Sequence, residues 1–484
     1  KLTKTMMKLT LALVLLFAVA TFVAADLPVH CLFHQVQGEW ELQLTKDGQT
    51  KDVVNTCKLD QPIQSVKTLT VKLEGPDVVR DASGKNLGYW TLIYDQGFEL
   101  NFGGNKYFAF FNYTKQGETV TSNCDRTFTG WYHDSKVNSN NWGCFRAAQT
   151  TSNPLISTQN VHTEPVKNVF AMNKKFVQDE EYVAKINKMN LGWTAAVYPQ
   201  FQGKTVSEMQ RIAGRKVDAK RKAALKSTMK LFNSLGKMQG RNTVSTAVLP
   251  KQWDWRNVSG VNYVSPVRDQ GNCGSCYAFA TMAMFEARVR IASKNQETPV
   301  YSPQDIVGCC GYSQGCDGGF PFLVAKYAED FGLTTENCDP YLGEDSKCFN
   351  TCPASNTRLY GTDYHYVGGY YGATNADNMM QEIYENGPIA IGFEVYNDFF
   401  SYRGGVYKHT SALKALSPDP HFEETNHAVL ITGWGETDNG EKYWIVKNSW
   451  GTRWGLDGFF WIERGTDNCD VESLAVSGKP YAHA

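Results

Sequence analysis

The chain has 484 residues, with 48 lysines and arginines against 49 acidic residues, and 42% of its residues are hydrophobic. This length predicts about two to four domains, and the near-neutral charge balance gives no indication of nucleic acid or of a membrane surface as a partner. Thirteen cysteines are many for a reducing compartment, so the composition excludes an ordinary cytosolic protein and favours the secretory pathway.

The N-terminus has the pattern of a secretory signal peptide. Lys8 precedes an apolar run at residues 9–23, and small residues follow it up to Ala25. We predict that residues 1–25 are removed, that Asp26 becomes the mature N-terminus, and that the protein is lysosomal or secreted. An uncleaved anchor is the alternative, but the run is short for a span. No later stretch predicts a membrane span. Two sequons predict glycosylation in this setting, at Asn112 and Asn257.

Residues 26–149 alternate between apolar and polar side chains, and turns containing glycine separate the alternating runs. Trp40, Leu42 and Leu44 are typical. This period of two predicts antiparallel strands in a closed barrel or a sandwich. An even number of cysteines predicts two disulfides in three possible connectivities. On these features alone, the region is a binding module for an unknown ligand. The four cysteines are Cys31, Cys57, Cys124 and Cys144.

Residues 150–248 contain no cysteine and show helical periodicity near residues 170–191. Residues 204–241 are strongly basic. Such a stretch could bind nucleic acid or heparin, but a solvated helical segment is the interpretation that we favour.

Residues 249–484 contain a candidate cysteine nucleophile. Helical patterns dominate up to about Ala390 and strand patterns follow, which predicts an α+β domain of two lobes with a cleft between them. A turn at Gly274 and Ser275 places Cys276 in the first turn of a helix, where the positive helix end favours thiolate. A metal or redox pair of Cys273 and Cys276 is the alternative, and the signal peptide and the other cysteines argue against it.

A cysteine nucleophile needs a base and a residue that orients the base. His427 lies in a strand-like run, and Asn448 follows a second one. The histidine would take the thiol proton, and the asparagine would orient its ring. The Gln270 amide could stabilise the oxyanion together with the N–H of Cys276. The sequence predicts no metal site.

These motifs resemble known proteins. A resemblance to the papain family is carried by residues 270–277 (QGNCGSCY) and 315–319 (GCDGG). A resemblance to the exclusion domain of its cathepsin C branch is carried by residues 124–134 (CDRTFTGWYHD) and 141–145 (NWGCF). The resemblance implies an exclusion β-barrel at residues 26–149, a helical propeptide at 150–248 and a papain-like peptidase at 249–484. Cleavage into heavy and light chains is expected near residues 411–419. The propeptide would dock through Phe176, Tyr182, Ile186 and Trp193.

The same resemblance implies the activity and its site. We expect a cysteine-type dipeptidyl aminopeptidase that takes peptides and proteins with free N-termini, with Cys276, His427 and Asn448 as catalytic residues. Asp26 would bind the substrate's N-terminal amine. A homotetramer is expected by analogy. A chloride ion is the expected cofactor, and its implied ligands are the Tyr366 hydroxyl and backbone N–H groups near Phe320 and Phe322.

The resemblance also implies five disulfides. Cys310 lies beside Cys309, so which of the two bonds to Cys348 stays open, and Cys469 is expected to be a buried free thiol. The implied pairs are Cys31–Cys124, Cys57–Cys144, Cys273–Cys316, Cys309–Cys348 and Cys338–Cys352.

Two other functions stay open. A papain-like endopeptidase could carry the β-domain for targeting or binding, and it would make internal cuts instead of releasing dipeptides. An inactive secreted binding protein is the second alternative, and it would need a broken catalytic set.

Overall fold

The computed structural model describes residues 29–51, 57, 61–116, 119–150, 161–163, 173–216, 249–348, 358–417 and 425–481. Within these residues, the N-terminal region consists mainly of antiparallel strands. Its elements are α1 (Phe33–Val36), β1 (Gly38–Leu44), β2 (Lys67–Glu74), β3 (Val78–Arg80), β4 (Asn86–Ile93), β5 (Gly97–Phe102), β6 (Asn105–Gln116), β7 (Thr119–Thr127), β8 (Gly130–Asp134), β9 (Trp142–Gln149) and β10 (Val161–Thr163).

Strand β1 closes the N-terminal sheet into a barrel. It pairs with β2 on one side and with β9 on the other, so β1–β6, β8 and β9 form a ring, while β7 pairs with β6 and β10. Trp40, Leu42 and Leu44 of β1 are buried, and Gln43 between them is exposed. Each buried leucine stabilises the fold by about 1.5–3 kcal/mol. The predicted antiparallel barrel is confirmed.

Residues 173–216, which we call the linking segment, lie against the C-terminal domain. The side chain of Asp179 accepts the N–H of Tyr182 at 2.8 Å and so caps the first helix. The four side chains predicted to dock are all buried, and the ring of Phe176 packs 5.3 Å from that of Phe400. The elements of the segment are α2 (Glu180–Lys188), β11 (Trp193–Ala195), α3 (Val206–Ile212) and β12 (Arg215–Lys216).

The C-terminal domain combines helices and a sheet, as the α+β prediction requires. Its helices are α4 (Cys276–Ala292), α5 (Pro303–Cys309), α6 (Pro321–Asp330), α7 (Ala376–Asn386) and α8 (Ser411–Leu416). Its strands are β13 (Trp253–Asp254), β14 (Gly361–Tyr366), β15 (Ile389–Val395), β16 (Tyr402–Tyr407), β17 (Thr425–Glu436), β18 (Lys442–Lys447), β19 (Phe459–Glu463) and β20 (Ala475–Pro480).

The sheet of this domain runs in the order β11-β16-β19-β18-β17-β15-β20-β14. Helix α4 is buried from Cys276 to Val289 and packs against β17. One cluster of buried apolar residues extends from the barrel into α4 and α6, and a second fills the sheet lobe and the linking segment. The barrel therefore shares a hydrophobic core with the helical lobe. Among the described residues, no helix has the length and apolar character needed to cross a membrane.

Buried charges also join the barrel to helix α6. Lys106 of β6 contacts Glu329 at 2.5 Å, and Nε2 of His133 lies 3.1 Å from a carboxylate oxygen of Asp330. All four side chains are at most 9% exposed. Buried pairs of this kind add little net stability, but breaking one partner is costly. They therefore specify one orientation of the barrel on the peptidase domain.

The described cysteines form the disulfides that the resemblance implies. Cys309 and not Cys310 bonds to Cys348, and Cys310 is a buried free thiol. Cys469 is also free and buried, as expected. Cys338 is disulfide-bonded, while its expected partner, Cys352, lies outside the described residues. The remaining bonds are Cys31–Cys124, Cys57–Cys144 and Cys273–Cys316.

Candidate active site

The candidate nucleophile, Cys276, is the first residue of α4, as the sequence predicts. The turn before it requires a glycine, because a Cβ atom at Gly274 would lie 2.6 Å from the carbonyl oxygen of Cys316. The disulfide between Cys273 and Cys316 anchors this turn. The thiol therefore lies where the free N–H groups of the first helical turn converge.

His427 and Asn448 are brought together by adjacent strands, β17 and β18. Nε2 of His427 lies 2.8 Å from Oδ1 of Asn448, and the same oxygen accepts the N–H of Ser449 at 2.8 Å. An amide oxygen can only accept, so Nε2 carries the ring proton and Nδ1 presents a lone pair. Nδ1 is buried and has no hydrogen-bond partner among the described residues. The ring is thus prepared to accept a proton at Nδ1.

The thiol and the imidazole belong to one site. The N–H of Ala428, the residue after His427, donates to Sγ of Cys276 at 3.5 Å. The indole of Trp450 lies over the imidazole with ring centroids 5.0 Å apart and shields it from water. Sequence reasoning missed this role of Trp450, and its position two residues after Asn448 was the available signal.

Burial shifts the pKa values of the thiol and the imidazole in the directions that favour their uncharged forms. Burial raises the pKa of the Cys276 thiol to about 11, although the N–H of Ala428 opposes the shift. Burial also lowers the pKa of His427 to about 4, against the effect of the hydrogen bond to Asn448. Burial therefore opposes the effect of the helix N-terminus on the Cys276 thiol, and the favoured thiolate stays a prediction.

The side-chain amide of Gln270 is occupied on both sides. Its Nε2 donates to the carbonyl oxygens of Cys273 at 2.9 Å and Ile212 at 3.2 Å, and its Oε1 accepts the Ser449 hydroxyl at 2.6 Å. The side chain is fully buried. Ile212 belongs to the linking segment, so a peptide carbonyl of the chain itself contacts the predicted oxyanion donor.

The linking segment fills the cleft beside His427. Strand β12 pairs with β17, with Arg215 opposite Asn426. Gly214 has a φ of +90°, and a Cβ atom there would lie 1.9 Å from the carbonyl oxygen of Asn426. The segment therefore passes closer to the catalytic strand than any residue with a side chain allows. This packing places the backbone of the linking segment directly against the strand that contains His427.

The three residues proposed as chloride ligands lie together at the start of α6. The Tyr366 side chain is buried, and its hydroxyl accepts the N–H of Tyr94 from the barrel at 3.2 Å. The ring of Phe322 stacks on that of Tyr366 at 4.5 Å, and Phe320 directly precedes the helix. The Tyr366 hydroxyl therefore lies between the aromatic ring of Phe322 and the backbone of the barrel turn at Tyr94.

Other predicted residues are placed less centrally or lie outside the described residues. Asp26 and the end of the expected chain-cleavage region, residues 418–419, are outside them. Asn112 is half-buried on β6 and accepts a hydrogen bond from Asn123 at 2.7 Å. Asn257 is exposed in a turn, where its side chain accepts the N–H of Gly260 at 3.0 Å.

One cluster among the described residues has the side chains of a metal site. Ligand atoms of His133, Glu329 and Asp330 lie within 4.8 Å of one another. However, Lys106 pairs with Glu329 at 2.5 Å, and Lys326 with Asp330 at 3.1 Å. The ammonium groups already supply the positive charge that the acids require, so we interpret the cluster as an ionic contact between domains.

Two family matches cover most of the chain. Residues 26–149 match the family described as "Cathepsin C exclusion domain", and residues 249–479 match "Papain family cysteine protease". The chain is 38% identical over 480 residues to cathepsin C of Schistosoma mansoni, which covers 97% of this chain and 98% of that protein. The chain belongs to the cathepsin C family. It is therefore a papain-like cysteine peptidase, a hydrolase that carries an exclusion domain.

Other relatives agree with this assignment to the cathepsin C family. A gut-specific cysteine proteinase of Caenorhabditis elegans is 37% identical over 257 residues, which cover 49% of this chain and 75% of that protein. Among solved structures, proCathepsin B S9 from Trypanosoma congolense matches with a TM-score of 0.50 and 26% identity, over 63% of this chain and 100% of that one. That neighbour is a proform, in keeping with a zymogen in which the linking segment lies in the cleft.

Proposed function

We propose that the chain is the zymogen of a cysteine-type dipeptidyl aminopeptidase, which removes dipeptides from the free N-termini of peptides and proteins. The observation that carries this proposal is the fixed docking of a cathepsin C exclusion barrel on a papain-like domain with Cys276, His427 and Asn448 in one site. A rigid barrel beside an endopeptidase cleft limits how much substrate can extend beyond the scissile bond. An exopeptidase is the result.

The proposed reaction begins with proton transfer from Sγ of Cys276 to Nδ1 of His427. The sulfur attacks the substrate carbonyl carbon, and the oxyanion receives hydrogen bonds from the Gln270 amide and the N–H of Cys276. The C–N bond then breaks, the imidazolium protonates the leaving amine, and a thioester remains on the cysteine. Water, deprotonated by His427, hydrolyses the thioester and releases the dipeptide. Asn448 keeps the imidazole in the productive orientation throughout.

We propose that the linking segment is the inhibitory propeptide. Its support is the Ile212 carbonyl on the Gln270 amide and the pairing of β12 with β17. Both contacts must be released before a substrate carbonyl can reach the oxyanion donors. The basic residues of 211–230 would make this part of the chain a suitable target for an activating protease.

Asp26 is the proposed anchor for the substrate's N-terminal amine. Signal-peptide removal would place it at the mature N-terminus, and the disulfide of Cys31 with Cys124 holds the chain five residues further on. A charge-assisted hydrogen bond between its carboxylate and the ammonium group would fix the substrate so that its second peptide bond meets Cys276.

We further propose a structural chloride at Tyr366, Phe320 and Phe322. The buried Tyr366 hydroxyl and the helix start at Pro321 support it. When bound, the anion would supply negative charge that orders these groups. The proposal also includes secretion or delivery to the lysosome, and a homotetramer as the active assembly.

The test compares one dipeptide amide substrate with a free N-terminus and its N-acetylated form, using the activated full chain. Asp26→Ala removes a charge-assisted bond of about 1.5–3 kcal/mol, so kcat/KM for the free amine should fall roughly ten- to a hundredfold. Turnover of the acetylated substrate should fall far less. Asp26→Asn keeps the side-chain shape and isolates the charge, and N-terminal sequencing verifies processing in each variant. Equal losses on both substrates would exclude Asp26 as the anchor.

A further inference from the structure

The turn between β4 and β5, residues 94–96, contacts two separate parts of the molecule. On one side, the carbonyl oxygen of Asp95 accepts the N–H of Cys31 at 2.8 Å. On the other side, the N–H of Tyr94 donates to the Tyr366 hydroxyl at 3.2 Å. The turn therefore connects the peptidase domain with residues 29–31 of the barrel, which we call the N-terminal segment. The connection runs through two consecutive residues, Tyr94 and Asp95.

The N-terminal segment is held by a buried pair of side chains. Nδ1 of His30 lies 3.4 Å from Oδ2 of Asp95, and these side chains are 11% and 1% exposed. The N–H of His30 also donates to the Ser122 hydroxyl at 2.9 Å. A buried carboxylate is costly without a compensating partner, so the pair favours one position of the segment. Residue 30 lies four positions after the predicted mature N-terminus.

The other side of the turn is fixed by an unusual backbone conformation. Tyr94 has a φ of +54°, in the left-handed region that residues with a side chain seldom adopt. Its ring lies 3.9 Å from that of Phe320, immediately before α6, and 5.6 Å from that of Tyr371. Tyr94 is 6% exposed. Such a conformation persists only where surrounding contacts enforce it, and it occurs most often at functional sites. Here the enforcing contacts come from the peptidase domain.

We propose that Asp95, through its pairing with His30, is a positioning residue that sets the distance between the amine-binding N-terminal segment and Cys276. The inference rests on the proposed dipeptidyl aminopeptidase activity and adds the residues that determine its specificity for free N-termini. The N-terminal segment contacts Asp95 through His30 and Cys31. The residue before Asp95, Tyr94, donates a hydrogen bond to Tyr366 of the peptidase domain. A displacement of the bound substrate by about 1 Å relative to the catalytic cysteine can lower the rate about a hundredfold.

The variants isolate the His30–Asp95 contact from the rest of the turn. Asp95→Asn removes the charge and keeps the backbone carbonyl that accepts the Cys31 N–H, and His30→Gln removes the other partner. The double variant tests whether the two residues act together. Glu74→Gln is the matched control, because it breaks ion pairs with Lys72 and Arg80 within the barrel. Thermal unfolding verifies that each full chain is folded.

The readout is the ratio of kcat/KM for a free dipeptide amide to that for its N-acetylated form, after activation of the full chain. Asp95→Asn and His30→Gln should each lower this ratio about ten- to a hundredfold, and the double variant should lower it no further than one of them. Glu74→Gln should leave the ratio unchanged. If Asp95→Asn proves unfolded, His30→Gln carries the test.

Two results separate this inference from the proposed function. An unchanged ratio in folded Asp95→Asn and His30→Gln, with a wild type that prefers free N-termini, overturns the positioning role alone. A wild type that cuts the acetylated substrate equally well overturns the dipeptidyl aminopeptidase proposal itself. Equal losses on both substrates would assign Asp95 to general stability and also contradict the inference.

Discussion

Gly214 is the position where a minimal change should open the cleft. It has a φ of +90°, and an added Cβ atom would lie 1.9 Å from the carbonyl oxygen and 2.8 Å from the carbonyl carbon of Asn426. The neighbour is backbone of the catalytic strand and cannot rotate away as a side chain could. Gly214→Ala should therefore displace the linking segment from β17, together with the Arg215 pairing that follows and the Ile212 carbonyl that precedes it.

The size of the effect follows from two contributions. An alanine in the left-handed region costs about 1–2 kcal/mol, and losing one or two net hydrogen bonds costs about 1 kcal/mol each. The total of about 2–4 kcal/mol corresponds to an increase of roughly thirty- to several hundredfold in the open fraction. Gly203 is a matched control, since it has a φ of +79° and no atom within 4 Å of an added Cβ. Gly203→Ala should therefore introduce the backbone strain of the left-handed conformation without the loss of hydrogen bonds.

The assay is the rate of alkylation of Cys276 in the intact, unprocessed chain, measured by mass analysis of the peptide that contains it. In the closed chain this thiol is 5% exposed and its pKa is raised to about 11, so wild-type labelling should be slow. Cys276 in Gly214→Ala should be alkylated about tenfold faster than Cys276 in Gly203→Ala. The difference between the two rates reflects the hydrogen bonds that are lost when the added Cβ displaces the segment. Equal rates in the two variants would refute the proposed path of the segment through the cleft.

Three further predictions concern the catalytic groups and the chloride. Cys276→Ser and His427→Ala should each lower kcat of the activated enzyme by several orders of magnitude, and Asn448→Ala should cost less, because it orients and does not react. Burial lowers the pKa of His427 to about 4, so the chain with the linking segment in place binds fewer protons than the chain with the segment displaced, and it loses stability as the pH falls from 6.5 to 4. A pyridyl disulfide should therefore label Cys276 faster at the lower pH. A labelling rate that does not change with pH would contradict this. Replacing chloride by a large, weakly coordinating anion should reduce activity, and Tyr366→Phe should weaken the response to added chloride.

Local sequence patterns predicted much of the fold. Alternation at Trp40, Leu42 and Leu44 indicated a strand with one buried face, and β1 has that face. The small residues at Gly274 and Ser275 predicted a helix start at Cys276, because a turn and a helical run have local signals. The strand-like runs at His427 and before Asn448 had the same basis, and these adjacent strands bring the two side chains together.

The contacts that control the site could not be predicted in this way. The bond from Gln270 to the Ile212 carbonyl joins residues far apart in sequence and depends on the backbone path of the linking segment. The raised pKa of Cys276 depends on how much water the folded chain excludes, and a position at a helix start does not reveal this. The pairing of His30 with Asp95 could not be predicted either, because the two residues are far apart in sequence and meet only in the folded barrel.

The most direct test of the central claim is mass analysis of the products released from one unblocked peptide of mixed sequence by the activated wild-type enzyme. We expect successive dipeptides from the N-terminus, a remaining peptide that shortens by two residues at a time, and little cleavage of the N-acetylated peptide. Internal fragments from both peptides in equal yield would show an endopeptidase and contradict the proposed dipeptidyl aminopeptidase activity.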